Sequence, residues 1–89
     1  MNATEFETSL KRDGYQDIET KKVPGNVSTK PHAHDFGVRA LVLAGDITLT
    51  FEGQSRTYGV GDIFEMTAGC VHNEQYGPDG TTYLVGRKG

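Results

Sequence analysis

The stretch Leu41-Val42-Leu43-Ala44-Gly45-Asp46-Ile47-Thr48-Leu49-Thr50-Phe51 decides the fold class, because its second half alternates apolar and polar side chains. Successive side chains of a β-strand point to opposite faces of the sheet, so Ile47, Leu49 and Phe51 share one face. This alternation is typical of a barrel wall with one face inside and one outside. The preceding run Val38–Ala44 is almost uniformly apolar. It indicates a strand covered on both faces, and we expect a second copy of the chain to cover one of them, giving a homodimer.

The same strand pattern continues through most of the chain after Gly14. These residues are rich in Val, Ile, Thr, Tyr and Phe, and Gly, Pro, Asn and Asp interrupt them at short intervals. Eight short strands with frequent turns favour an all-β sandwich or barrel. The predicted strands are Asp17–Val23, Val27–His34, Val38–Ala44, Asp46–Glu52, Ser55–Tyr58, Asp62–Thr67, Val71–Tyr76 and Thr81–Arg87.

The first residues predict a short helix instead of a strand. Thr4 is followed three residues later by Glu7, which is a capping-box pattern at the start of a helix. Phe6 and Leu10 are spaced four residues apart and share one helical face. Gly14 is a natural end for this helix.

Composition bounds the kind of protein. The chain has 89 residues, a formal net charge of −3 and a single cysteine, so it forms one small domain without an internal disulfide. No block of Lys and Arg is present, so we expect no nucleic-acid partner. The first ten residues do not resemble a signal peptide, and no apolar run reaches transmembrane length. We therefore expect a cytoplasmic protein without a membrane partner.

The three histidines of the chain form the main candidate site. His32 and His34 are two residues apart and would share one face of a strand, while His72 comes from a distant strand behind a turn. Three imidazole nitrogens can surround one divalent cation, so the pattern predicts a metal site. The alternative is a set of hydrogen-bonded histidines in a barrel that holds no metal.

Two further residues have the strand parity of His72. Glu74 could be a fourth metal ligand, a partner of an imidazole, a general base, or a solvated carboxylate at the barrel rim. Tyr76 could present its phenol to a substrate or simply close the core with an aromatic ring. Glu74 and Tyr76 are therefore the candidate catalytic residues.

Two spaced motifs resemble those of the cupin family. The first, G-x5-H-x-H-x3,4-E-x6-G, matches from His32-Ala33-His34 through Val38 to Gly45, and Gly25 precedes it with one residue more than the motif has. The second motif is G-x5-P-x-G-x2-H-x3-N. Its spacing is matched by Gly61, Thr67, Gly69, His72 and Tyr76. Val38 stands at the position of the family's metal-binding glutamate, and Thr67 and Tyr76 replace the motif's Pro and Asn.

The resemblance implies a small antiparallel jelly-roll β-barrel over residues 15–89, preceded by a helical segment over residues 1–14. It also implies a three-histidine variant of the cupin metal site, in which His32, His34 and His72 hold one divalent transition metal (Fe, Mn, Ni, Co, Cu or Zn). The three-histidine pattern looks like that of cupin dioxygenases. The resemblance therefore favours a dioxygenase-like enzyme acting on a small chelating anion. The alternative is a non-catalytic cupin that binds a small ligand or senses a metal.

Overall fold

One short helix precedes a set of antiparallel strands. The computed structural model describes all of residues 1–89, and it has helix α1 (Ala3–Arg12) and five strands. The strands are β1 (Gln16–Val23), β2 (Gly37–Phe51), β3 (Gln54–Tyr58), β4 (Ile63–Met66) and β5 (Asn73–Lys88). The predicted all-β fold with a short N-terminal helix is therefore confirmed. None of the structure's helices combines the length and the apolar character that crossing a membrane requires.

The helix begins two residues before the predicted cap. Asn2, not Thr4, is the N-cap, and its Oδ1 accepts a hydrogen bond of 2.8 Å from the Glu5 backbone N–H. The Glu5 side chain in turn accepts from the Asn2 backbone N–H, which completes a capping box. Glu7, the expected partner of Thr4, instead forms an ion pair of 3.2 Å with Lys11. An Asn with a Glu three residues later caps the free N–H groups of the first turn in the same way, two residues earlier in the chain.

Strand β2 organises the sheet. It pairs with β5 along most of its length, with β4 through its first half and with β3 through its second half, and all three pairings are antiparallel. Strand β1 lies on the far side of β5.

The two long strands, β2 and β5, each combine two of the predicted short strands. The expected breaks at Gly45 and at residues 77–80 are bends within β2 and β5, because backbone pairing resumes on both sides of them. Gly45 and Gly80 both have positive φ values, of 72° and 78°, and they meet where the two strands bend. A Cβ on Gly45 would collide with the Gly80 carbonyl oxygen, so the bend requires glycine there.

The main core lies between the inward faces of these strands. Its members are Val38, Ala40, Val42, Ile47, Leu49, Phe64, Tyr76, Tyr83 and Val85. The predicted inward face of β2 is correct for Ile47 and Leu49, which are 0% and 5% exposed. It is wrong for Phe51, which is 45% exposed at the end of the strand beside the turn into β3.

A second, smaller core explains the apolar run Val38–Ala44. Phe6 and Leu10 of helix α1 pack against Leu41 and Leu84 on the outer face of the sheet. The chain's own helix therefore covers the face for which a partner subunit was expected. The homodimer stays a prediction, but this face does not require one.

The predicted strand Val27–His34 is extended without forming a continuous ladder. Only two isolated bridges link it to the chain around β5, Ser28 with Gln75 and His32 with His72. Pro31 has no N–H to donate, and the Thr29 hydroxyl, not a backbone carbonyl, accepts the hydrogen bond from the Glu74 N–H. Burial alternates from Val27 to Lys30 and again from Pro31 to His34, but Lys30 and Pro31 are both exposed, so the alternation changes phase at the proline.

Candidate metal centre

The irregular segment places His32 directly opposite His72. The two residues exchange backbone hydrogen bonds, 2.8 Å from the His32 N–H to the His72 carbonyl and 2.9 Å in the other direction. Residues paired in this way in an antiparallel arrangement have their side chains on the same face. The two imidazole centroids are 4.5 Å apart.

His34 joins them from two residues further along the segment. Its ring centroid lies 5.1 Å from that of His32 and 5.6 Å from that of His72. One ring nitrogen from each of the three histidines lies within 4.8 Å of the other two. The structure thus brings together the three residues that the sequence singled out, and they are positioned to bind a metal.

Backbone carbonyls fix the orientation of two of the rings. The Nδ1 atom of His32 lies 2.8 Å from the Lys30 carbonyl oxygen, and that of His72 lies 2.9 Å from the Cys70 carbonyl oxygen. A carbonyl oxygen can only accept, so each Nδ1 carries the hydrogen and donates it. Each Nε2 of a neutral ring is then left with a lone pair directed at the cluster, as in metal-binding histidines.

The Nε2 atom of His72 gives the strongest indication of a metal, because no group of the chain satisfies it. His72 is 2% exposed, and its Nε2 is buried with no hydrogen-bond partner. An unsatisfied buried polar atom costs on the order of 1–3 kcal/mol, and native proteins rarely leave one. A metal ion bound to Nε2 would satisfy this atom, so the three histidines fit the metal that the resemblance implies.

Stacking holds the third ring. His34 stacks on Phe36, with centroids 4.9 Å apart and planes 19° from parallel, and the Arg87 guanidinium covers Phe36 with its carbon 4.7 Å from the ring centroid. Burial lowers the pKa of His34 below its usual value, and the neighbouring His32 and His72 lower it further. His34 is therefore neutral at pH 7, which is the form that binds a metal.

Glu74 and Tyr76 lie against the histidines. The Glu74 Oε2 atom is 3.2 Å from the His32 Nε2 and 4.0 Å from the His72 Nε2. The Tyr76 hydroxyl donates a 3.0 Å hydrogen bond to Glu74 Oε1. The Glu74 side chain is only 14% exposed, so it is not a solvated rim carboxylate.

The surroundings of the site differ from a deep substrate pocket. Val38, at the position of the family's glutamate in the resemblance, is buried in the main core. None of the four surface cavities, the largest of about 620 Å³, is lined by any of the three histidines.

Sequence reasoning did not find the residues that hold the histidines in place. Phe36 has the strand parity of His34, which was a usable signal for its stacking role. The carbonyls of Lys30 and Cys70 gave no signal, because every residue has a backbone carbonyl.

Comparison with solved structures identifies the architecture. A cupin-2 domain protein from Shewanella frigidimarina is 20% identical, with a TM-score of 0.65, over 76% of this chain and 66% of that one. The DMSP lyase DddQ from Ruegeria pomeroyi is 23% identical, with a TM-score of 0.71, over 81% of this chain and 37% of that one. A protein of unknown function from Rhizobium leguminosarum is 18% identical, with a TM-score of 0.76, over 99% of this chain and 95% of that one.

The chain thus spans about two thirds of the length of the Shewanella protein and less than half of that of the lyase. No family model and no curated protein matches the sequence. The antiparallel strands, the core between them and the likeness to these solved structures together show that the chain has the cupin fold.

Proposed function

We propose that this chain binds one divalent transition metal through His32, His34 and His72. The observation that carries the proposal is the convergence of three ring nitrogens, one of which, the buried His72 Nε2, has no partner in the chain. Neutral imidazoles suit Fe, Mn, Ni, Co, Cu or Zn, so the ligand set alone does not select among them.

We further propose that the site takes a small chelating anion and acts as a dioxygenase-like enzyme. A bound divalent metal supplies open coordination positions and a positive charge that attracts such a ligand. The cupin fold can carry catalysis, since one solved structure similar to this chain is a DMSP lyase. The position of Glu74 and Tyr76 beside the histidines supports their candidate catalytic role.

The two residues would act as a pair on a bound ligand. Burial raises the pKa of the Tyr76 phenol far above its usual value, and nearby Tyr83 and Glu74 raise it further. Tyr76 is therefore a hydrogen-bond donor at every physiological pH. Its hydroxyl holds Oε1 of Glu74, which leaves Oε2 facing the histidines and whatever binds between them.

One observation favours a second candidate function, a non-catalytic module that binds a metal or a small ligand. No surface cavity is lined by the histidines, so the structure offers a large substrate no enclosed space at the site. A ligand of a few atoms, or the metal alone, fits this arrangement better than a bulky molecule.

Metal analysis of the purified protein tests the first part of the proposal. We expect one metal per chain in the wild type and none in a His34→Gln variant that keeps its fold by circular dichroism. Absence of saturable binding when Ni²⁺, Co²⁺, Zn²⁺ or Fe²⁺ is titrated into the wild type would contradict it.

Oxalate, a small bidentate anion, tests for an open coordination position, and oxygen consumption then separates the two candidate functions. Binding of oxalate by the metal-loaded protein supports an open coordination position. Oxygen consumption with chelating diketones or thiols supports the enzyme, and oxalate binding without any turnover of this set supports the binding module.

A further inference from the structure

The carboxylate of Glu74 faces two imidazole nitrogens that already carry lone pairs. Because Nδ1 of His32 and of His72 each donate to a backbone carbonyl, the Nε2 atoms of the neutral rings have no hydrogen to offer. Glu74 Oε2 lies 3.2 Å from the first of these Nε2 atoms and 4.0 Å from the second. Three electron-pair donors therefore point at one small region, and a positive charge between them makes this arrangement favourable.

A proton accounts for only part of this arrangement. If His32 were protonated on Nε2, it would donate to Glu74 and explain the 3.2 Å contact. The buried Nε2 of His72 would still have no partner, because 4.0 Å is too long for a hydrogen bond. A single metal ion satisfies the Glu74 oxygen and both nitrogens together.

The distances suit ligands of one metal. Nitrogen and oxygen ligands lie about 2.0–2.2 Å from such ions, so two neighbouring ligands at octahedral or tetrahedral angles are roughly 2.8–3.6 Å apart. The contact between Glu74 and His32 falls within this range, and the contact between Glu74 and His72 is a few tenths of an ångström longer.

The rest of Glu74 is already held in place. Its backbone N–H donates to the Thr29 hydroxyl and its carbonyl accepts from the Thr29 N–H, both at 2.9 Å. Tyr76 occupies Oε1, which leaves Oε2 as the free carboxylate oxygen on the side of the histidines. A carboxylate fixed in this way loses little conformational entropy when it binds an ion.

We propose that Glu74, through Oε2, is the fourth protein ligand of the metal held by the three histidines, and that Tyr76 is its positioning residue. The inference rests on the proposed metal site. It supplies from strand β5 the carboxylate that Val38 cannot supply from β2. The ligands then carry one negative charge, so a divalent ion would leave the site with one net positive charge, not two.

Metal affinity and the Co²⁺ spectrum test this assignment in the full chain. In Glu74→Gln, which keeps the shape of the side chain, we expect the affinity for Co²⁺ to fall at least about tenfold and the visible d–d bands to shift. Tyr76→Phe should weaken affinity by a smaller factor while keeping the wild-type bands, because the carboxylate remains but is less well held.

The matched control is Asp35→Asn. It removes one negative charge next to His34 in sequence, from an exposed side chain that forms no ion pair in the structure. Unchanged Co²⁺ bands in this variant, together with shifted bands in Glu74→Gln, would support direct ligation over a general effect of charge.

Two results would overturn the inference, and they distinguish failure of the Glu74 assignment from failure of the metal site itself. If Glu74→Gln keeps both the affinity and the spectrum of the wild type while His34→Gln loses the metal, Glu74 is not a ligand and the three-histidine site stands. If the folded wild type itself binds no Co²⁺, the proposed metal site fails, and the ligand assignment fails with it.

Discussion

At the scale of single residues, the three histidines are fixed by two different physical means. Backbone carbonyls hold His32 and His72 through Nδ1, and a carbonyl in a hydrogen-bonded segment is a rigid partner. His34 depends on the aromatic ring of Phe36, which Arg87 also covers. Stacking of this kind contributes about 0.5–1.5 kcal/mol and constrains the ring less closely than a hydrogen bond does.

Removing the aromatic face should therefore loosen one ligand without removing it. We expect Phe36→Leu to lower metal affinity by roughly three- to tenfold, equivalent to about 0.6–1.4 kcal/mol, since His34 must then be ordered when the metal binds. Isothermal titration with Ni²⁺ measures this change. Phe51→Leu is the control, because Phe51 is 45% exposed and lies outside the histidine cluster, and its affinity should match that of the wild type. Equal affinities for Phe36→Leu and the wild type would show that stacking does not position His34.

At the scale of the elements, the barrel depends on a shared bend in its two longest strands. Gly45 of β2 and Gly80 of β5 meet backbone to backbone, and both have positive φ values. A side chain at Gly45 would suffer both an unfavourable backbone conformation and a collision with the Gly80 carbonyl. Rigid neighbouring backbone cannot move aside as a flexible side chain can.

A pair of glycine variants separates these two effects. Gly53 also has a positive φ, of 76°, but a Cβ there would meet nothing within 4 Å. Gly53→Ala should cost only about 1–2 kcal/mol of unfolding free energy, the usual cost of a left-handed conformation. Gly45→Ala should cost at least about 2 kcal/mol more, measured by urea unfolding of both variants. Similar losses in the two variants would mean that the strands separate easily at the bend.

The elements also show which features a sequence can predict. Alternation predicted the inward face of β2 at Ile47 and Leu49, because strand parity is a local property. It could not predict that β2 continues through Gly45, since a glycine that bends a strand and one that ends it look alike in sequence. The segment 27–34 was predicted as a strand from its residue types and the turn residues around it, but Pro31 and the Thr29 hydroxyl interrupt its hydrogen-bonded ladder.

The candidate site was predictable for a related reason. His32 and His34 meet His72 because extended residues two apart share a face, whether or not they lie in a regular strand. The sequence left four possible roles open for Glu74, because its distance to His32 depends on the pairing of two segments far apart in the chain.

Helix α1 is tied to the sheet by a charged contact whose strength depends on pH. Asp13, just after the helix, accepts a 2.6 Å hydrogen bond from Arg39 of β2, and Arg39 also pairs with Glu65 at 2.7 Å. Hydrogen bonds from Arg12 and then from Arg39 lower the pKa of Asp13 from 3.8 to about 2. The folded state therefore binds this proton more weakly than the unfolded state does, so the stabilisation is complete above about pH 4 and is lost as the pH falls toward 2.

The measurement is the melting temperature between pH 5 and pH 2. We expect the wild type to lose stability faster than Asp13→Asn over the window from about pH 4 to pH 2, since the variant has no carboxylate there to protonate. Asp79→Asn removes an exposed carboxylate outside any ion pair and should keep the wild-type slope. If Asp13→Asn and the wild type have parallel profiles, the contacts of Asp13 with Arg12 and Arg39 do not stabilise the fold.

At the scale of the whole molecule, the helix and the histidine site each complete a small fold. A barrel of this size has a modest core, and α1 adds a second one by burying Phe6 and Leu10 on the outer face of the sheet. The predicted homodimer would have to use another surface, and light scattering at micromolar concentration tests whether a dimer forms.

The proposed metal would join parts of the chain that are far apart in sequence. His32 and His34 lie in the extended segment before β2, while His72 directly precedes β5, and no continuous strand ladder connects these parts near the site. An ion that binds the folded state and not the unfolded state stabilises by about 2.7 kcal/mol when its concentration is 100 times its dissociation constant. For a chain of this length, that free energy corresponds to an increase of roughly 10–20 °C in melting temperature.

We expect calorimetry to show this increase in melting temperature with Ni²⁺, and we expect excess EDTA to reverse it. His72→Gln should show no increase, because it replaces the buried nitrogen that the ion would satisfy. A wild-type melting temperature that does not respond to saturating metal would mean that the site adds nothing to the stability of the fold, and that the buried His72 nitrogen is satisfied in some other way.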